Sequence, residues 1–291
     1  MITRRRMLST CAGALVSAGG VARVLAEESA GAKGGFLIGA CDWSIGCHSD
    51  IRCFEVAKEI GLDGVQVSMG TVENDMQMRK AEVREKYLAA SKASGIAIAS
   101  LAIGEMNRVP LKSDPRAAVW LDESIDIAKA LGVTVSMPAF FGNGDLDMAK
   151  TDEIDRVVGI LKDVAPKAQK HGIVIGLENY LSAEDNLTLI DRVGSEAIQV
   201  YYDVGNSTDK GYDIYEEIRL LGRLGRLCEF HAKDGRFMLG EGRVDFEKVR
   251  RAMDDIAYRG WIQLEAAKPN GLIPDYQAHL RFLRGIFPKI A

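Results

Sequence analysis

Glu178, Asp203, His231 and Glu265 each end a short apolar run, in the segments Ile173–Glu178, Ile198–Asp203, Leu227–His231 and Trp261–Glu265. Three carboxylates and an imidazole are the oxygen and nitrogen donors that hold a divalent cation. Mn2+, Mg2+, Co2+ and Zn2+ all accept such a set, and it selects no one of them. Taken singly, each residue has a plainer role: a strand-end Glu is commonly solvated or paired with an Arg, and a lone His is commonly hydrogen-bonded structure. Four in succession, at the same end of consecutive runs, point to a shared metal site. Lys233 lies two residues beyond His231, which on strand spacing turns it to the same side, with a surface position beside Asp234 as the alternative. His48, after the first apolar run, and Glu105, after the third, are candidates to reach the pocket, with solvated loop positions as the alternative. His171 stands just before Gly172, where a cation at a helix C-terminus is favourable, and His279 falls within the last helical segment.

The elements that must position these residues recur along the chain as helical periodicity, a Gly stop, then a few apolar residues ending at a polar one. Gly61, Gly95, Gly132 and Gly172 are the stops, at spacings of 34, 37 and 40 residues, which suit a strand plus a crossover helix. Continuous rather than alternating apolar runs indicate parallel strands covered on both faces. Eight strands are predicted, at Phe36–Cys41, Gly64–Ser68, Ile96–Leu101, Val133–Met137, Ile173–Glu178, Ile198–Asp203, Leu227–His231 and Trp261–Glu265. Helices stand out at Lys80–Ser94, Asp114–Leu131, Asp152–His171, Phe246–Tyr258 and Asp275–Phe287. Eight such units match an α/β protein of the (β/α)8 TIM barrel class, a single domain over 27–291, since that fold needs roughly 250 residues. A doubly wound sheet is the runner-up, but no Gly-x-Gly-x-x-Gly follows the first strand.

Composition narrows the class. The chain has 291 residues, 47% hydrophobic and 27% charged, with a formal net charge of −4, which excludes a disordered chain and gives no electrostatic footprint for nucleic acid. Thr3-Arg4-Arg5-Arg6 precedes a weakly apolar stretch ending Val24-Leu25-Ala26, the layout of a twin-arginine signal peptide over 1–26, so the protein is expected to be exported to the periplasm. Removing that leader takes away four Arg and no acid, leaving 33 basic against 41 acidic residues, a net charge of −8. No later segment has the uninterrupted apolar length of a membrane span. Of the remaining cysteines, Cys41 and Cys228 lie in apolar runs and read as buried free thiols, while a Cys47–Cys53 bridge stays open. Oligomeric state also stays open, a homo-oligomer included.

The segments Gly176-Leu177-Glu178-Asn179, Tyr202-Asp203-Val204-Gly205-Asn206, Phe230-His231-Ala232-Lys233-Asp234 and Tyr258 to Glu265 carry a resemblance. The whole mature chain resembles the xylose isomerase-like barrel superfamily, in its sugar phosphate isomerase/epimerase branch. In ketose 3-epimerases the matching Glu, Asp, His and Glu bind one divalent metal ion and the two Glu form the acid/base pair. The resemblance therefore implies Glu178, Asp203, His231 and Glu265 as ligands, with Glu178 and Glu265 catalytic. Asn206 replaces a His of those enzymes, and Arg236 is the candidate for an Arg they carry beyond the metal His; both are expected to bind substrate, alongside Lys233, Glu105 and His48. The implied reaction is isomerisation or epimerisation of a keto-sugar or related carbohydrate through an enediolate. Elimination after the same proton abstraction, or a non-catalytic sugar-binding barrel, are the alternatives. No Gly-rich phosphate cradle follows the last two strands, which favours an unphosphorylated substrate over one held through Arg236, Arg243 or Lys268.

Overall fold

In the computed structural model, which describes residues 35–289, eight parallel strands close on themselves in sequence order. They are β1 (Leu37–Cys41), β2 (Gly64–Ser68), β3 (Ala97–Ile103), β4 (Val135–Pro138), β5 (Val174–Leu177), β6 (Ile198–Asp203), β7 (Leu227–Ala232) and β8 (Trp261–Leu264). The seam is β1 against β8, with Leu37 abreast of Trp261 and Ala40 abreast of Leu264. The TIM barrel expected from the repeating Gly stops is therefore the observed fold. The export signal expected at 1–26 lies outside the described residues.

The helices are α1 (Cys53–Ile60), α2 (Ala81–Ser94), α3 (Pro115–Leu131), α4 (Thr151–His171), α5 (Ala183–Val193), α6 (Val204–Lys210), α7 (Ile214–Arg223), α8 (Phe246–Asp255) and α9 (Leu272–Ile286). Local chemistry sets their limits. Asp114 accepts the Arg116 N–H ahead of a Pro at the first position of α3, and Gly132 and Gly172 end α3 and α4 with φ of 73° and 67°. Two bounds differ from the sequence pattern. The helix predicted over Phe246–Tyr258 stops at Asp255, because Ala257 takes a left-handed φ of 54° and the Tyr258 N–H returns to the Met253 carbonyl. The helix predicted from Asp275 starts at Leu272, since Pro274 falls in the first turn, where no N–H is required. Short α6 follows β6 without a loop, so the strand's last residue is also the helix cap.

Two apolar layers hold the barrel. The larger packs the outer strand faces against the helices, with Ile38, Val65, Leu101, Leu121, Leu161, Ile198 and Phe230 all buried in it. A smaller cluster of Ala102, Val135, Met137, Ala139 and Tyr201 fills part of the barrel itself, joined by the less buried Trp43. The remaining interior is polar: Gln66, Ser100, Glu229 and Gln263 are buried among these residues. The register between β6 and β7 shifts by one residue, so that Tyr202 lies abreast of Phe230 and Asp203 abreast of His231. Side chains alternate faces along a strand, so that extra residue in β7 keeps Asp203 and His231 pointing the same way. All four cysteines of the described residues are free thiols; three are buried and Cys228 is partly so.

Candidate active site

At the C-terminal ends of β5 to β8, one donor atom each from Glu178, Asp203, His231 and Glu265 lies within 4.8 Å of the others. The sequence places all four at strand ends, and the barrel brings all four together. His231 is fully buried, its Nδ1 standing 2.8 Å from Glu178 Oε1, 3.8 Å from Glu265 Oε2 and 4.0 Å from Asp203 Oδ2. Asp203 is pinned by α6: its Oδ1 accepts the N–H groups of Gly205 and Asn206, both at 2.8 Å. That leaves Oδ2 buried without a hydrogen-bond partner and turned toward the cluster. An orphaned carboxylate oxygen at a convergence of three carboxylates and an imidazole is what a divalent cation satisfies, so the donor set fits such an ion.

The second nitrogen of His231 has partners of its own. Nε2 faces Gln66 Oε1 at 2.8 Å, and the same oxygen accepts the Cys41 thiol at 3.3 Å. An N–H on Nε2 leaves the Nδ1 lone pair for the cluster, the usual arrangement behind a ligating histidine. Burial disfavours the imidazolium, yet the Cys41 sulfur and the Glu178 carboxylate hold the His231 pKa well above its ordinary value, so a proton on Nδ1 stands in for a cation. Burial likewise raises the Asp203 carboxyl to about 7, opposed by Lys233.

Lys233 belongs to the site. Its Nζ lies 3.0 Å from Glu265 Oε2 and 3.7 Å from Asp203 Oδ2, which decides between the pocket and the surface position in favour of the pocket. Gly205 makes room for it: a Cβ there would stand 2.7 Å from the Lys233 Cβ and 2.8 Å from its carbonyl oxygen, closer than atoms approach. Burial by itself would raise Glu265, but the His231 and Lys233 cations, together with the Trp43 indole N–H at 3.0 Å from Oε1, hold its carboxyl below the usual range. Burial opposes the Lys233 ammonium, and Asp203 and Glu265 outweigh it, raising its pKa above the ordinary lysine value.

The other predicted residues divide. Asn206 is buried beside Asp203 in the first turn of α6. Glu105 is buried after β3, 3.2 Å from Arg108, its carboxyl raised by burial; His48 is exposed on the loop after β1. Neither is among the four converging residues. Arg236 is exposed, stacks over the Phe237 ring at 5.3 Å, and makes no hydrogen bond or ion pair with the four among the described residues. Of the remaining histidines, His171 ends α4 with Nδ1 3.0 Å from the Lys129 ammonium, and His279 is buried with Nε2 2.8 Å from the Ala267 carbonyl. Sequence reasoning missed Trp43 and Gln66, and took Cys41 only as a buried thiol. A polar Gln between Val65 and Val67 in a buried strand was the available signal for one of them.

A family model described as xylose isomerase-like TIM barrel matches residues 54–286. A 2-epi-5-epi-valiolone 7-phosphate 2-epimerase from an Actinoplanes species is 24% identical over 177 residues, 60% of this chain and 64% of that protein. The chain thus spans less than two thirds of that relative's length. The structure of D-psicose 3-epimerase with D-tagatose from Clostridium cellulolyticum H10 superposes with a TM-score of 0.72 at 18% identity, covering 86% of this chain and 99% of that one. The apo form of 3-keto-D-glucoside 4-epimerase from E. coli superposes with a TM-score of 0.69 at 15% identity, covering 86% and 99%. At such identities these two likenesses establish a shared fold. With a match running from the first helix of the barrel to the last, the chain belongs to the xylose isomerase-like TIM barrel family.

Proposed function

We propose that the protein is a divalent-metal-dependent isomerase or epimerase of a keto-sugar or related carbohydrate, in which Glu178 and Glu265 exchange a proton on the carbon beside the carbonyl. The observation that carries this reading is the convergence of Glu178, Asp203, His231 and Glu265 at the barrel mouth, with two Glu arriving from β5 and β8. The relatives named above act on carbohydrates or close analogues by their printed names, which supports the substrate class. Glu178, Asp203, His231 and Glu265 would hold the ion. When bound, Mn2+, Mg2+, Co2+ or Zn2+ supplies Lewis acidity toward substrate oxygens. Three carboxylates balance one divalent ion plus the Lys233 ammonium, so the charge of the site closes to zero.

The chain's own residues then divide the proton work. Glu265 is held ionised by Lys233 and Trp43, which keeps it in the form that accepts a proton. Glu178, from across the barrel, returns a proton to the opposite face of the resulting enediolate. Trp43 and Tyr201, whose rings lie 6.0 and 4.6 Å from that of His231, pack apolar surface around the imidazole.

The test is a screen of ketoses and 3-keto-sugars in D2O with metal-loaded protein, read by NMR. Wild type incorporates deuterium beside the carbonyl, and Glu178→Gln and Glu265→Gln each lower turnover by at least about 10²–10⁴-fold, the usual contribution of an acid/base group. If each Glu serves one face, one variant still exchanges the proton of one epimer. Binding with no exchange in wild type sinks the enzyme reading, and an unsaturated product identifies elimination as the outcome. We further propose export by the twin-arginine route to the periplasm, on the basis of Arg4, Arg5 and the small residues up to Ala26. Replacing both arginines with Lys is expected to leave an untrimmed cytoplasmic precursor; normal trimming of that variant refutes the route.

A further inference from the structure

Between α6 and the loop after β7 lies a cavity of about 300 Å3, lined by Gly205, Thr208 and Asp209 from α6 and by Asp234, Gly235, Arg236, Phe237, Arg243 and Val244 from the loop. It adjoins the proposed centre through two residues. Gly205 gives its N–H to Asp203 and packs on Lys233, and Asp234 directly follows Lys233 in the chain. The volume is at the lower end of small-molecule pockets, enough for one ring.

The cavity's chemistry is specific. Both oxygens of the buried Asp234 are consumed by backbone: Oδ2 accepts from Gly240 and Gly242, Oδ1 from Arg243 and Val244, at 2.8 to 3.2 Å. The loop is thereby fixed before any ligand arrives. Arg243 pairs with Asp209 across the cavity. Arg236 pairs with no carboxylate among the described residues and instead stacks on Phe237, which is 43% exposed and offers its ring to the cavity. Two arginines against two aspartates leave the lining without net charge, where a phosphate group bearing about −1.5 to −2 would call for surplus cations. An exposed aromatic face and a guanidinium with free donors suit an uncharged polyhydroxylated ring, whose C–H face would pack on Phe237 and whose hydroxyls would meet Arg236, with the Thr208 hydroxyl, which donates to the Val204 carbonyl, left to accept.

We propose that this cavity is a subsite for a second, neutral sugar ring, so that the substrate is a glycoside carrying the keto-sugar unit rather than a free ketose or a sugar phosphate. The inference rests on the carbohydrate reading above and names its substrate class. It is tested with Mn2+-loaded protein by measuring dissociation constants for D-fructose, for lactulose, a neutral disaccharide with a ketose unit, and for fructose 6-phosphate. Lactulose is expected to bind about tenfold more tightly than fructose, a margin one aromatic contact can supply. In Phe237→Ala that margin collapses toward unity while fructose affinity stays within about twofold. Equal affinities in wild type overturn the proposal. So does a Phe237→Ala variant that weakens both sugars alike, which marks a structural role for the ring. Preference for fructose 6-phosphate that is lost in Arg236→Ala makes the cavity an anion site instead. These are binding measurements, so absence of deuterium exchange would defeat the proposed reaction and leave the affinity ratio to judge the subsite.

Discussion

Gln66→Leu tests the reasoning about His231 most directly. Leucine keeps roughly the volume of Gln66 at a fully buried position but removes the oxygen that lies 2.8 Å from His231 Nε2. His231 is itself fully buried, and its Nε2–H would keep only the Cys41 sulfur at 3.3 Å, a weak acceptor, at a cost of about 1–3 kcal/mol. The ring can avoid that cost by moving its proton to Nδ1, but Nδ1 is the atom aimed at Glu178, Asp203 and Glu265, and a protonated nitrogen cannot ligate. The penalty therefore falls on the metal-binding tautomer. Affinity for Mn2+ is expected to drop about 10–100-fold, the usual effect of losing a partner behind a ligating histidine, which corresponds to about 1.4–2.8 kcal/mol. The assay is competition with a fluorescent chelator, with circular dichroism to confirm that the barrel is intact. A folded variant whose Mn2+ affinity stays within about twofold of wild type would refute the tautomer argument.

Two further outcomes follow from buried carboxylates outside the proposed ligand set. Burial raises Glu229 to about 8, so between the ordinary Glu value of about 4.3 and pH 8 the folded chain keeps a proton that the unfolded chain has released. Stability from this group therefore falls as pH rises through that window, by about 1.4 kcal/mol per pH unit, and Glu229→Gln is expected to remove that slope. Urea midpoints of the two proteins across the window decide it, and parallel slopes would show that Glu229 is ionised throughout. Asp234→Ala frees the four N–H groups that fix the loop after β7; the amides of Gly240, Gly242, Arg243 and Val244 should exchange at least about tenfold faster with D2O, and unchanged protection would mean the loop is held by other contacts.

The barrel was legible along the chain because its determinants are local. A Gly that ends a helix in the left-handed region, followed by an apolar run, marks the junctions into β2 to β6 without reference to anything distant in sequence, and β2 and β6 begin and end where that pattern placed them. The four converging residues were legible for a related reason: each closes a short, mostly apolar run, and eight parallel strands in sequence order put such residues on one rim. Tertiary structure alone decided what surrounds them. Trp43 reaches Glu265 across 222 positions of sequence and Gln66 reaches His231 across 165, contacts set by barrel closure between β1 and β8 and by strand parity. Residue spacing left Lys233 between pocket and surface; the close approach of Gly205 and the two carboxylates facing its ammonium put it inside. Arg236 lies on a loop whose path is set by Asp234 and backbone N–H groups up to ten residues further on, so its distance from the strand end in sequence carries no information about where its side chain goes.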